Sequence, residues 1–102
     1  MSWDNTDSWD YRVVDSTGWR NLASFEVEER AGVYLFASAD LYIKYVGKAG
    51  SGRMAVEVQS AIDRGKARGA TKVKLLYTNS DAKALELERM LRFKYKPPNN
   101  LI

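Results

Sequence analysis

The sequence predicts a small α/β domain: a three-stranded sheet packed by helices, in the order β-β-α-β-α behind an acidic N-terminal arm. Three observations predict it. GVYLFAS (Gly32 to Ser38) and Leu41 to Lys48 are aromatic and β-branched runs separated by Ala39-Asp40, a hairpin pattern. Met54, Val58 and Ile62 recur at helical spacing after the breaker AGSG. KVKLLYT (Lys72 to Thr78) reads as a third strand, and it runs into a second amphipathic helix.

Each element has its own signal. Residues 1–31 are acidic, carry Trp3, Trp9, Tyr11 and Trp19, and form the arm; residues 32–102 form the domain. Within the arm, RVVD (Arg12 to Asp15) reads as a short strand and Ser16-Thr17-Gly18 as a turn. The first helix is expected from about Arg53 to Arg64, with Gly65 and Gly69 punctuating its end. Asn79-Ser80-Asp81 is a helix start signal, and Pro97-Pro98 stops the last helix near Tyr95. No internal repeat, linker or low-complexity tract interrupts the order.

Composition excludes several chemistries. The 102 residues make one domain, and 45% hydrophobic with 28% charged residues is a globular composition. There are no cysteines, so disulfides and thiolate chemistry are excluded. There are no histidines either, which removes the commonest general base and transition-metal ligand. Catalysis must use Tyr, Lys, Arg, Asp or Glu, and any metal is a hard one held by oxygen. No apolar run approaches the ~20 residues of a membrane span, and MSWDNTDSWD lacks a signal-peptide pattern. These features fit a cytoplasmic protein with no membrane role. The charge is uneven: residues 1–43 carry 3 basic and 8 acidic residues, net −5, whereas residues 44–102 carry 13 and 5, net +8. The second half reads as a phosphate-facing surface or as a solvated basic face.

The last helix places one acid unusually. With about 100° per residue, Leu87, Leu91 and Tyr95 fall within about 60° of Ala84 and form the buried stripe. Glu88 lies on that side, about 40° from Ala84, while Glu86 faces away. A carboxylate at the edge of a buried stripe needs a compensating Arg, Lys or metal ion. A salt bridge is the commoner answer.

Gly32-Val33-Tyr34, then ten residues, then Tyr45-Val46-Gly47 resembles the GIY-YIG nuclease signature, with Val for Ile in both halves. Lys48 directly follows the second motif, as in the excision-repair branch of that family, and Arg53 opens the next helix, where the family keeps its catalytic arginine. LELERMLRFKYKPPNN resembles the closing segment of the family, with Glu88, Met90-Leu91, Pro97 and Asn100 in order. The resemblance covers residues 32–102. Two features depart from it: the loop from Gly47 to Arg53 is short for the repair branch, and Glu57 stands where the family has His or Tyr.

The resemblance implies a GIY-YIG-like fold and a divalent-metal-dependent endonuclease that leaves a 5′-phosphate and a 3′-hydroxyl. Phosphodiester hydrolysis needs an activated water and neutralised phosphoryl oxygens. Glu88 would bind one Mg²⁺ or Mn²⁺, which keeps most of its waters. Arg53 would fork onto the scissile phosphate. Tyr34 and Tyr45 would flank the attacking water, one of them as general base, a role that needs the phenol's pKa lowered from about 10 by cations such as Lys48 and the metal. Gly32 and Gly47 are structural, and Gly47 lets backbone approach the site. Asn100 would orient a neighbour or close the site. Arg64, Lys66, Arg68, Lys72 and Lys74 are candidate nucleic-acid backbone contacts.

Each residue also has an ordinary reading. The tyrosines can be strand aromatics, Lys48 and Arg53 surface charges, and Asn100 a cap. The alternative function is a weakly active or inactive GIY-YIG-fold module that binds nucleic acid or docks on a partner. The expected partner is DNA, branched or otherwise structured, with RNA also open. No reader motif is present, so a protein partner would supply specificity. The acidic arm would either cover the core with Trp3 and Trp9 or lie beside the basic face.

Overall fold

The computed structural model describes residues 1–101; Ile102, the last residue of the predicted 32–102 domain, lies outside the described residues. Strands β1 (Val13–Ser16), β2 (Arg20–Asn21), β3 (Gly32–Ala37), β4 (Ile43–Ala49) and β5 (Lys72–Thr78) form one sheet. Helix α1 (Met54–Asp63) lies between β4 and β5, and α2 (Asp81–Tyr95) follows β5. Short 3₁₀ helices cover Asn5–Trp9 and Pro98–Leu101. No helix among the described residues is long and apolar enough to cross a membrane.

The sheet corrects the predicted strand count. It has five strands rather than three, in the order β1-β5-β3-β4, with β2 also paired to β5. All pairings are antiparallel. The first 31 residues therefore supply two strands on the far side of β5. β2 escaped the sequence because it is two exposed residues with no apolar alternation, and what holds this edge is long-range. Thr17 N–H donates to Leu75 O at 3.0 Å, Leu75 N–H donates to Thr17 Oγ1 at 3.0 Å, and Leu22 N–H donates to Thr71 O at 2.9 Å.

The predicted helices and central strands are present, with small shifts at their ends. The returning strand starts at Ile43 rather than Leu41, because Leu41 takes a left-handed turn conformation (φ 66°). Ser80 caps α2, its Oγ accepting from Lys83 N–H at 3.1 Å. The α1 cap comes from the arm: Glu29 Oε1 accepts from Ala55 N–H at 2.9 Å. α2 ends at Lys96, which is left-handed (φ 45°) and precedes the two prolines.

The alternation of β3 divides the core in two. Val33, Leu35 and Ala37 face α2 and pack with Ile43, Val46, Leu76, Leu87, Leu91 and Tyr95. Tyr34 and Phe36 face α1 and pack with Met54, Val58, Ala61, Val73 and Leu75. The stripe predicted for α2 is the buried one: Ala84, Leu87, Leu91 and Tyr95.

The arm closes the α2 side. Trp3 stacks on Tyr95 at 5.6 Å and meets Trp19 edge-on at 5.8 Å. The buried Asp7 accepts from the Tyr95 hydroxyl at 2.5 Å and from Lys94 Nζ at 2.9 Å. Asp4 accepts from Lys94 at 2.9 Å, and its backbone N–H donates to Tyr95 Oη at 2.9 Å.

Two predictions follow from this latch. Asp7→Ala leaves the Tyr95 hydroxyl without its acceptor and Lys94 with Asp4 alone, and is expected to cost about 1–3 kcal/mol, read as a shift in the denaturant midpoint. An unchanged midpoint would show that the latch is not stabilising. The second concerns acid. The hydrogen bonds from Thr6 and Lys94 pull the Asp4 carboxyl down to about 2, and Arg12 holds Asp10 below its ordinary range. A folded pKa below the unfolded value of about 3.9 means stability present above that value and lost as pH falls toward 2. Tryptophan fluorescence should therefore report loosening of the arm between about pH 4 and pH 2. In Asp4→Asn that transition should shrink; an identical transition in the variant would rule out Asp4 as its source.

Candidate active site

The hairpin β3–β4 positions the predicted tyrosines. Tyr34 pairs in register with Gly47, and Phe36 with Tyr45, so all four lie on the α1 face. The Tyr34 ring lies over Gly47. A Cβ at position 47 would fall inside contact distance of Tyr34 Cζ and Oη, and 2.7 Å from Cε2. Gly32 is needed for another close approach: a Cβ there would strike the Leu76 carbonyl and come within 3.1 Å of Tyr77 Cα. Each motif glycine therefore answers to a specific neighbour.

Tyr34 and Tyr45 are adjacent, with ring centroids 6.1 Å apart, and Phe36 stacks on Tyr45 at 5.8 Å. They differ in access. Tyr34 is 1% exposed and donates to the Glu57 backbone carbonyl at 3.3 Å; Tyr45 is half-buried at the rim. Burial pushes the Tyr34 phenol well above its ordinary value, and the neighbouring Tyr45 and Glu57 add to the effect; Arg64 opposes it. The lowered phenol pKa expected of a base is thus reversed at Tyr34.

Arg53 precedes the first turn of α1 and is exposed. Its guanidinium meets Glu57 Oε1 at 3.1 Å, one helical turn on. Glu57 therefore touches both other parts of this face, Tyr34 through its carbonyl and Arg53 through its carboxylate.

Glu88 and Lys48 lie on the other side. α2 packs on the opposite sheet face, and Lys48 pairs with Val33, which points there. The Glu88 side chain is 12% exposed, and its one ion pair among the described residues is with Arg92 at 3.9 Å. Glu86, by contrast, is 49% exposed. No hydrogen bond, ion pair or ring contact among the described residues joins Glu88 to Tyr34, Tyr45, Lys48 or Arg53. The two halves share β4, the edge strand of the sheet.

Asn100 is a clamp on that edge. Its Oδ1 accepts from Val46 N–H at 2.9 Å and its Nδ2 donates to Val46 O at 2.9 Å, the pairing another strand would make. The sequence did not single out Asn99. It is buried and donates to the carbonyls of Lys66 and Arg68 at 2.9 and 2.8 Å, which ties the segment after α1 to the C-terminus. The double asparagine after double proline was the available signal.

The predicted backbone contacts separate. Arg64 and Arg68 are exposed, and Lys66 and Lys72 half-exposed. Lys74 is not available to a phosphate: it is 4% exposed, and its Nζ donates to Thr17 O at 2.6 Å. The N-terminal segment covers it: Thr17, just past β1, supplies the acceptor, and the Trp3 ring centroid lies 5.9 Å from its Nζ. Burial lowers the Lys74 pKa.

A hard divalent cation fits the donor set. Glu88 offers carboxylate oxygens with only one long ion pair among the described residues. No group of three or more His, Cys, Asp or Glu side chains that could hold a metal occurs among the described residues. A cation here would be held by one carboxylate and completed by water and substrate oxygen, as suits Mg²⁺.

Similar solved structures are GIY-YIG N-terminal endonuclease domains of UvrC from Thermotoga maritima. The domain bound to its catalytic magnesium is 25% identical to this chain with a TM-score of 0.60, covering 70% of this chain and 83% of that one. An asparagine-to-alanine variant of that domain, bound to its catalytic divalent cation, matches with the same identity and TM-score, covering 70% and 82%. This chain has the GIY-YIG fold. No family model and no curated protein sequence matches it.

Within the GIY-YIG hairpin, the prediction is steric. Gly47→Ala drives a methyl into the buried Tyr34 ring, which has no room to retreat, and should cost about 1–3 kcal/mol. At Gly50 a Cβ would lie 3.1 Å from the flexible Asp81 carboxylate, so Gly50→Ala should be nearly silent. Thermal melting of the two variants compares them; equal melting points would mean that the ring does not depend on Gly47.

Proposed function

We propose that this chain is a divalent-metal-dependent endonuclease that hydrolyses phosphodiester bonds in DNA and leaves a 5′-phosphate and a 3′-hydroxyl. The observation that carries the reading is Glu88: a carboxylate 12% exposed, with only a 3.9 Å ion pair to Arg92, on the fold of domains that bind a catalytic magnesium. Glu88 would hold the Mg²⁺ or Mn²⁺, which when bound supplies Lewis-acid stabilisation of the phosphoryl oxygens.

The chain's own residues divide the rest of the work. Arg53 forks onto the scissile phosphate, exchanging Glu57 for it. Tyr45 is the general base of this reading and would take the proton of the attacking water at Oη. The water oxygen bonds to phosphorus, the bond to the 3′ oxygen breaks, and that oxygen takes a proton from solvent. Tyr34 has the wrong acidity for the base and acts by seating Tyr45 against the hairpin. Lys48 adds positive charge on the Glu88 side, and Asn100 holds β4 in place. Arg64, Lys66, Arg68 and Lys72 contact backbone phosphates. The 3.1 Å Arg53–Glu57 pair favours a second reading, a binding module in which Arg53 is withheld from phosphate.

The test is cleavage of supercoiled and branched DNA with Mg²⁺, Mn²⁺ or chelator. Cleavage should need the metal. Glu88→Ala and Tyr45→Phe should each lower turnover at least about a hundredfold with melting unchanged, while Glu86→Ala stays near wild type. Equal losses at Glu88 and Glu86, or full activity in Tyr45→Phe, would move the site elsewhere. Binding without cleavage under every metal condition selects the second reading.

A further inference from the structure

The two flanks of α2 are not alike. One flank is committed to the N-terminal segment: Lys94 is held by Asp4 and Asp7, and Lys83 lies 5.1 Å over the Tyr11 ring. The other flank is open. Going round the helix from Glu88, Arg92, Arg89 and Phe93 follow one another over about 140°. Arg89 has no ion pair among the described residues, and Arg92 has only Glu88 at 3.9 Å. Phe93 is 79% exposed on the same surface, the largest apolar side chain α2 shows to solvent.

Phe93 is one wall of an open groove of about 320 Å³, bounded by Arg92, Lys96, Pro97, Asn100 and Leu101. Lys96 Nζ lies 5.9 Å from the Phe93 ring centroid. Lys96 reaches that place from a left-handed backbone (φ 45°), where helices usually put glycine. A side chain kept in that conformation directs a cation to the ring. The groove floor includes Asn100, the residue that clamps β4 at Val46, beside Tyr45.

We propose that this groove binds an unpaired stretch of DNA, with a base stacked on Phe93 and its flanking phosphates on Arg92 and Lys96. The argument is charge and ring together. An exposed aromatic face flanked by cations is the arrangement that binds single strands without reading sequence. A duplex hides its base faces and gains nothing from Phe93. The inference rests on the endonuclease reading in one respect: it names the substrate class, DNA with an unpaired segment running from the Glu88 side over α2.

The experiment is binding, not cleavage. Fluorescence anisotropy with a labelled oligothymidylate and with a blunt duplex is measured in EDTA, so that no metal-dependent step intervenes. The wild-type chain should bind the single strand more tightly than the duplex. Phe93→Ala should weaken strand binding between about fivefold and a hundredfold, the range for one stacked base. Its duplex binding should change less than about twofold, and Phe93→Trp should restore the strand. Arg92→Gln and Lys96→Gln should each lower the salt dependence of strand binding by about one phosphate contact. The proposal is overturned if Phe93→Ala binds the strand as wild type does, or weakens strand and duplex alike. It is also overturned if the variant alters only self-association in sedimentation, which would make the groove a contact between two copies. Strand binding without cleavage in Mg²⁺ would defeat the endonuclease reading and leave this one standing; cleavage with Phe93→Ala binding the strand normally would do the reverse.

Discussion

The seating of the Tyr34 ring on Gly47 is the contact on which the rest of this structure depends. A buried phenol on the inner strand of a hairpin needs room on the strand beside it, and only glycine leaves that room. Once Tyr34 sits opposite Gly47, Phe36 must sit opposite Tyr45, and the second tyrosine reaches the rim instead of the core. A slip of one residue would put Tyr45 on the α2 face and Val46 on the α1 face, and the Tyr34 ring would lose its place over Gly47. The ring also reaches α1, because its hydroxyl meets the Glu57 carbonyl. One packing requirement thus sets hairpin register, tyrosine access and helix docking. The repeated Gly–Tyr pairing has two separate steric causes, since Gly32 makes room for β5 and not for a ring.

β4, which carries Tyr45 and Lys48, is the sheet's open edge. An unpaired edge invites another chain. Asn100 answers with its side-chain amide, which pairs with Val46 as a strand would. That link also ties the segment after α2 to the strand bearing Tyr45. Asn99 fixes the same C-terminal turn to the segment following α1. The ends of both helices are therefore referred to one edge strand, although α1 and α2 lie on opposite faces of the sheet.

Much of this was legible in the sequence, and the omissions share one physical cause. The buried stripe of α2 and the contrast between Glu88 and Glu86 follow from helical period alone. The Ser80 cap follows from local chemistry. What escaped depends on contacts distant in sequence. β2 has no periodicity, and it exists because β5 offers an edge to residues some fifty positions earlier. Lys74 looked like a surface cation because nothing local shows that the N-terminal segment crosses it; Thr17 O accepts from its Nζ and Trp3 lies over it. Tyr34 and Tyr45 looked equivalent as motif residues. Their difference arises from depth in the fold, which spacing does not encode.

The charge asymmetry changes meaning once its acids are located. The acidic N-terminal half does not lie free as a competitor for phosphate. Asp4 and Asp7 hold Lys94, Asp10 holds Arg12, and Asp15 meets Arg30 at 3.2 Å. The acids that do meet candidate phosphate ligands come from the basic half: Glu88, 3.9 Å from Arg92, and more closely Glu57, on Arg53. That pair is exposed, with the Arg53 side chain 58% accessible, and pairs of this kind are worth about 0–1 kcal/mol. A bidentate, charge-assisted bond from arginine to a phosphate is stronger, about 1.5–3 kcal/mol. On the proposed endonuclease reading a substrate phosphate would therefore displace Glu57. Before that exchange Glu57 ties the guanidinium to the first turn of α1, and under the proposed reading this would hold Arg53 close to a phosphate without closing it off.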